Sequence, residues 1–313
     1  MFRKMVLTSI FVVGVLGLGG CQPAGESTPV GDVNTVETLP PGQVLVLGDV
    51  SGNPAWTIEH FQPLADYLAA QLADFGIRQG RVVVTSDLET MMDYLENGQV
   101  DLYFDSPYPA LEVYKEIGAH PLARRWKSGV AEYYSMIVVV QDSGITDLDG
   151  LLGQMLACDH PASTSGYLLP KSYMVANGYR ISEKDGVDAA VAADEVGYVF
   201  AYGEDNQLAW LLRGQVAGAA FSNGDYDRFE DGQRDRLVVL AQTPSVPRNI
   251  ALARPGMDAA LQSRITELLL GLSQSPGGGE ILETFEHTSR FDALPNGPEG
   301  TMEALEELFA PVQ

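Results

Sequence analysis

An alternation of strand-like and helix-like runs, made twice with a long β-rich run between, narrows the possible folds of this chain more than any other feature. Residues 44–48 read as a buried strand. Pro63 suits the first turn of a helix, and Leu64, Leu68 and Leu72 then repeat at four-residue spacing as an inward stripe. A strand at 81–85 follows, then a helix behind the capping-box spacing of Ser86-Asp87-Leu88-Glu89, ending at Gly98. A third strand at 99–104 leads through Asp105-Ser106-Pro107-Tyr108-Pro109 into a helix that runs to about Ile117. The β-rich run at 132–141 is long enough to cross between two layers, and after it the alternation restarts. Strands are expected at 155–158, 198–202 and 215–221, with helices at 167–176 and 204–213. Two more strands, 237–242 and 249–253, are joined by 243–247, a candidate return crossing. Helical runs at 257–272, 279–285 and 302–309 close the chain, and there is no internal repeat. Strands alternating with helices imply an α/β fold with mainly parallel sheets flanked by helices. A crossing and a return imply two lobes with a ligand cleft between them, near the carboxyl ends of the strands.

Three loops are expected at that cleft: 105–108, 163–166 and the turn after Phe221. The second carries the most chemistry. In Asp159-His160-Pro161-Ala162-Ser163-Thr164-Ser165-Gly166-Tyr167, three hydroxyl residues and a glycine sit where a strand gives way to a helix. Free amides and the positive end of a helix dipole, joined by hydroxyl donors, form a pocket for an oxyanion. The same residues also make an ordinary helix cap, because Ser and Thr are favoured there in any case. The motif alone favours capping.

The amino end reads as an export leader. Arg3 and Lys4 precede an apolar stretch, 5–20, that is short for a membrane span. It ends Leu18-Gly19-Gly20-Cys21, which resembles a bacterial lipoprotein cleavage box with Cys21 as the lipidated first residue of the mature chain. More than one acyl chain there would give a stable membrane anchor in the cell envelope, on its periplasmic or extracellular side. Residues 21–42, rich in Pro, Gly, Ser, Thr and acids, read as a flexible tether. With Cys21 modified, Cys158 has no partner in the chain, so the fold rests on its core. Removing Arg3 and Lys4 leaves 17 basic residues against 42 acids, a net charge of −25. Such a field argues against nucleic acid as a partner and against any basic patch as the means of holding an anion.

Several stretches, taken in order, resemble the phosphate/phosphite/phosphonate-binding proteins of bacterial ABC transporters, which have the two-lobed periplasmic-binding-protein-like type II fold. They are Phe61-Gln62-Pro63-Leu64-Ala65-Asp66-Tyr67-Leu68; Gly98-Gln99-Val100-Asp101-Leu102 with the aromatic-Pro loop behind it; Tyr134-Ser135-Met136-Ile137-Val138-Val139 with Asp142-Ser143-Gly144-Ile145; and Ala162-Ser163-Thr164-Ser165-Gly166-Tyr167-Leu168-Leu169-Pro170. The resemblance reverses the preference for capping. It implies that Ser163, Thr164, Ser165 and the amides about Gly166 bind the ligand's oxygens, and that Ser106 and Tyr108 belong to the first-lobe ligand loop. Glu204 stands near a position where the family often has histidine, and Ala217 where an aspartate is common.

Other residues are open to two readings. Glu204, Asp205 and Asp225 could hold an ammonium group on an aminophosphonate, or could be helix-terminal and turn acids. Tyr108, Tyr133 and Tyr134 could donate phenolic hydrogen bonds or pack in the core, and alternation turns only one of Tyr133 and Tyr134 inward. Tyrosine clusters also suit ferric iron, but no set with persuasive metal spacing accompanies them. One of Arg124, Arg125, Lys127 and Arg248 could complement an anion, or all could pair with acids. The four histidines are scattered and Cys158 lies in an apolar strand, so no nucleophile–base pair can be assembled. The expected ligand set is therefore Ser106, Tyr108, Tyr134, Ser163, Thr164, Ser165, Gly166, Glu204 and Asp225, with no cofactor, metal or catalytic residue. The expected organisation is a leader at 1–20, a tether at 21–42, a first lobe of 43–137 and 248–313, and a second lobe of 138–247. The expected function is a monomeric, lipid-anchored solute receptor that passes a small phosphorus oxyanion to an ABC permease. A sensor of the same fold that signals to a membrane partner is the alternative.

Overall fold

A computed structural model of the chain describes residues 43–312. The leader, Cys21 and the tether at 21–42 lie outside the described residues. Four strands come first: β1 (Val44–Val50), β2 (Gln79–Thr85), β3 (Leu102–Asp105) and β4 (His120–Arg125). After them come β5 (Glu132–Tyr133), β6 (Ser135–Val140), β7 (Met155–Cys158), β8 (Arg180–Glu183), β9 (Glu195–Phe200) and β10 (Gly218–Ser222). The last four are β11 (Leu237–Gln242), β12 (Val246–Pro247), β13 (Asn249–Ala253) and β14 (Phe291–Asp292). They form two six-stranded sheets, ordered β14-β4-β13-β3-β1-β2 and β11-β6-β10-β7-β9-β8. Both are mixed. In the first, β13 runs against β3 and β4; in the second, β6 runs against β10 and β11. Each strand that carries a cleft loop has a parallel partner: β3 pairs with β1, and β7 with β9 and β10, while β3 and β10 each have one antiparallel neighbour as well, β13 and β6.

The strands β7 and β10 are buried at every position, as expected of central strands covered on both faces. The helix α1 (Pro54–Gln71) begins earlier than Pro63 suggests. Asn53 caps it by accepting from the Trp56 amide, and Pro54 takes the first-turn place, so Pro63 lies inside and leaves one helical hydrogen bond unmade. Strands β4 and β8 were not expected. Their sequences, His-Pro-Leu-Ala-Arg-Arg and Arg-Ile-Ser-Glu, are too polar to read as strands, and pairing to β13 and β9 places them.

Between the sheets the chain crosses at a two-stranded antiparallel ribbon, with Tyr133 opposite Val246 and Glu132 opposite Pro247. The Arg248 amide donates to the Ala131 carbonyl at 2.8 Å and extends this fastening. The remaining helices named below are α2 (Leu88–Glu96), α3 (Pro107–Ile117), α4 (Leu169–Ala176), α5 (Glu204–Leu212) and α6 (Asn223–Arg228). A carboxy-terminal helix, Gly297–Phe309, adds Met302, Leu305 and Phe309 to one apolar cluster. That cluster also holds Tyr103 and Leu111 from the side of the first sheet and Leu156, Leu168 and Leu169 from the side of the second. Continuous packing of this kind holds the loops at the strand ends in register across the cleft.

Candidate functional site

The loop after β7 is built by its own side chains. Ser163 Oγ accepts from the Gly166 amide at 3.1 Å, and the Gly166 carbonyl accepts from the Asp159 amide at 3.0 Å. Gly166 is required by close approach, since a Cβ there would stand 2.4 Å from Asp159 Cβ. The helix opens with a π-turn at Thr164–Leu168 before α4 begins, and its hydrogen bonds start with the Leu168 amide donating to the Ser163 carbonyl at 3.0 Å. The amides of Thr164 and Ser165 therefore lie ahead of the first helical bonds, as at any helix start. A wide π-turn spreads these donors over more chain than an α-turn would, and such turns recur at functional sites.

The loop after β3 meets this turn directly. Thr164 Oγ1, almost fully buried, donates to Ser106 Oγ at 3.1 Å and accepts from the Tyr108 amide at 3.1 Å. Ser106 occupies the cap position of α3 without making a side-chain cap bond. Its hydroxyl is free for Thr164 on one side and donates to Asp105 Oδ1 at 3.1 Å on the other. Ser135, fully buried at the start of β6, donates to the Ser165 carbonyl at 2.5 Å and supports the turn from below. Tyr133 is buried beside them, with its hydroxyl within hydrogen-bonding reach of the Thr164 and Ser165 side chains.

Behind Ser106 lies a network of charge at the carboxyl ends of β1, β3 and β4. Asp105 accepts from the Ser106 amide at 2.6 Å and from the Tyr103 hydroxyl. Burial nevertheless raises its pKa. Burial, with repulsion from Glu286 and Asp105, pushes Asp49 up to about 7, even though Thr57 Oγ1 donates to it at 3.0 Å. The buried Arg125 pairs with Glu286 at 2.9 Å, and Lys127 pairs with the same carboxylate at 2.8 Å. Glu286 is held down at about 2: its own burial acts upward, and the attraction of Arg125 and Lys127 outweighs it. Arg124 is bound to Asp292 at 2.7 Å and to Glu132 at 2.8 Å.

Of the expected ligand residues, the structure brings together Ser106, Tyr108, Ser163, Thr164, Ser165 and Gly166. Tyr108 arrives by its backbone amide, while its phenol bonds Glu112 on the same helix and its ring meets Phe309 edge-on at 5.2 Å. Tyr134 is not part of the group. Strand alternation turns its ring toward the apolar cluster of α5, β10 and β11, and Tyr133 is the one presented to the hydroxyl turn. Glu204 and Asp225 both face Arg228, at 3.5 and 2.6 Å, and Asp225 also accepts from Ser222 Oγ at 2.6 Å. Their charge is answered there. Ala217 lies just before β10, at the amino edge of the second sheet. It lines an open groove of about 630 Å³ with Val140, Gln154 and Arg213, at the end of the sheet opposite the hydroxyl turn. The change from aspartate to alanine therefore does not touch the turn.

The family model described as ABC transporter, phosphonate, periplasmic substrate-binding protein matches residues 51–296. The chain belongs to this family. Among solved structures, XAC2383 from Xanthomonas citri bound to chloride ion is 31% identical, with a TM-score of 0.79 over 86% of this chain and 97% of that one. The same Xanthomonas protein bound to ATP is 30% identical, with a TM-score of 0.78 over 87% and 97%. PhnD1 from Prochlorococcus marinus in complex with methylphosphonate shares the fold at 16% identity, with a TM-score of 0.60 over 85% and 97%. As a phosphonate-type ABC-transporter substrate-binding protein, the chain is a periplasmic binding component, in a family of transport proteins rather than enzymes. Among the described residues no helix is long and apolar enough to cross a membrane, and no group of three His, Cys, Asp or Glu is placed to hold a metal ion.

Proposed function

We propose that this protein captures a small phosphorus oxyanion, a phosphonate, phosphite or phosphate, between two lobes and delivers it to an ABC permease while anchored through a lipid on Cys21. The lobes, expected at 43–137 with 248–313 and at 138–247, each carry one of the two sheets, with β6 wholly in the second, and they close about the ribbon of β5 and β12. One observation carries this reading: Thr164 Oγ1 holds both Ser106 Oγ and the Tyr108 amide across the cleft. Two hydroxyls and an amide that hold one another there can exchange those bonds for bonds to ligand oxygens, joined by the amides of Thr164 and Ser165. Each hydrogen bond to a charged group contributes roughly 1.5–3 kcal/mol, so a handful supports micromolar affinity or better. Neutral donors are the suitable means in a chain of net charge −23, whose long-range field opposes an anion and is screened over about 10 Å.

Titration calorimetry against phosphate, phosphite, methylphosphonate, aminoethylphosphonate and ATP tests this reading. ATP belongs in the series because the Xanthomonas relative has been seen with it. We expect one or more of these to bind with micromolar or tighter affinity. Folded protein that binds none of them sinks the oxyanion reading. The pairing of Glu204 and Asp225 with Arg228 further predicts that the amino group of aminoethylphosphonate adds little over methylphosphonate. Lipidation is checked separately, by the mass of the mature amino terminus and by release of a Cys21→Ser variant from membranes.

A further inference from the structure

Four basic residues stand near the crossing ribbon. Three have acid partners in place: Arg124 has Asp292 and Glu132, while Arg125 and Lys127 share Glu286. Arg248 is not. Among the described residues no carboxylate lies within ion-pairing distance of its guanidinium and no acceptor takes a hydrogen bond from it, although the chain carries 42 acids. Its backbone is fixed by the bond to Ala131, and its half-buried guanidinium lies over the Tyr133 ring at 4.7 Å. The same Tyr133 presents its hydroxyl to Thr164 and Ser165. Arg125 and Lys127 stand close enough to repel it. A half-buried cation beside two others, with no acid of its own, would be stabilised by an anion supplied from outside.

We propose that Arg248, seated on Tyr133, reads the charge of the ligand: it bonds an oxygen of the anion held at Thr164 and Ser165, and so selects doubly charged over singly charged phosphorus oxyanions. The proposal rests on the oxyanion reading of the cleft and names its specificity residue. Because Arg248 directly follows β12, the same contact ties ligand binding to the ribbon about which the lobes close.

Phosphite and hypophosphite are suitable probes, because in mildly alkaline solution the first carries two charges and the smaller second carries one. Calorimetry on the full chain should show the wild type preferring phosphite. Arg248→Ala should lose roughly 10- to 100-fold in phosphite affinity, the range of one charge-assisted hydrogen bond. Its hypophosphite affinity should fall much less, so that the preference collapses, and Arg248→Lys should restore part of it. Thermal unfolding checks that each variant is folded, and Arg248→Gln replaces the alanine variant if that one is not. If the wild type binds phosphite and Arg248→Ala or Arg248→Gln keeps both the affinity and the preference, this inference is wrong while the oxyanion reading stands. If the folded wild type binds neither probe nor any ligand of the wider series, both fall together.

Discussion

The two sides of the cleft solve opposite problems. On the side of the first sheet, the buried Arg125 and the half-buried Asp49, Asp105, Lys127 and Glu286 form a network of formal charges in which Arg125 and Lys127 both pair with Glu286. On the side of the second sheet, Ser163 to Gly166 offer hydroxyls and amides without a formal charge. The charged side spends its interactions on itself, and buried ion pairs contribute little net stability while being costly to break. The neutral side keeps donors pointed at the cleft at little cost, because a helix start leaves them unmade in any fold. On the proposed reading, Thr164 and Ser165 supply the site with donors from the side where no internal charge competes for them.

Five variants separate these roles. Arg125→Ala should have the largest effect. It leaves Glu286 with Lys127 alone and removes donors to Thr288 and to the Phe285 carbonyl, so chemical denaturation should show a loss of about 3–5 kcal/mol. A Thr164→Ala, Ser165→Ala double variant should do the reverse. Ligand affinity falls by roughly 100-fold or more as two bonds to a charged group are lost, while the unfolding midpoint moves little. Gly166→Ala lies between them. Its Cβ must displace Asp159, so about 1–3 kcal/mol of stability and part of the affinity should go together.

Asp49→Asn should have its smallest effect in acid, where the asparagine stands in for the protonated carboxyl, and is read from the pH dependence of stability. The Asp49 pKa is raised from 3.8 to about 7, so its contribution is fully present below about pH 4 and is lost as pH rises through about 7. The asparagine variant should flatten stability over that window. Glu286 has the opposite sign: held at about 2 against an ordinary 4.5, its contribution is present above pH 4.5 and is lost as pH falls toward 2. A Glu286→Gln variant should therefore remove the acid-side loss and, by relieving the repulsion on Asp49, also move the upper edge of the Asp49 window to lower pH.

The strand–helix alternation made the α/β architecture and both crossings legible in the sequence, because periodicity records which faces are buried. The hydroxyl turn was legible for the same reason: Ser163 and Gly166 satisfy local demands of a strand-to-helix corner. Pairing across the structure was not legible. Strands β4 and β8 form because a neighbour's edge accepts them, and their own residues give no sign of it. Tyr133 and Tyr134 show the limit most sharply. Alternation required that one face the site, but which one depends on where β5 ends and β6 begins, a single-residue matter of register. Arg248 was likewise indistinguishable from Arg124 and Arg125 by type and position; only the distances to carboxylates set it apart.

Amide chemical-shift mapping tests the central claim most directly. Labelled protein is titrated with whichever phosphorus oxyanion binds most tightly by calorimetry. The largest shifts should fall on Thr164, Ser165, Gly166 and Tyr108, the donors on both sides of the cleft, and should disappear in the Thr164→Ala, Ser165→Ala variant. Saturable binding that leaves those four amides unmoved and shifts residues elsewhere, such as those around Ala217 and Arg213, would contradict the account.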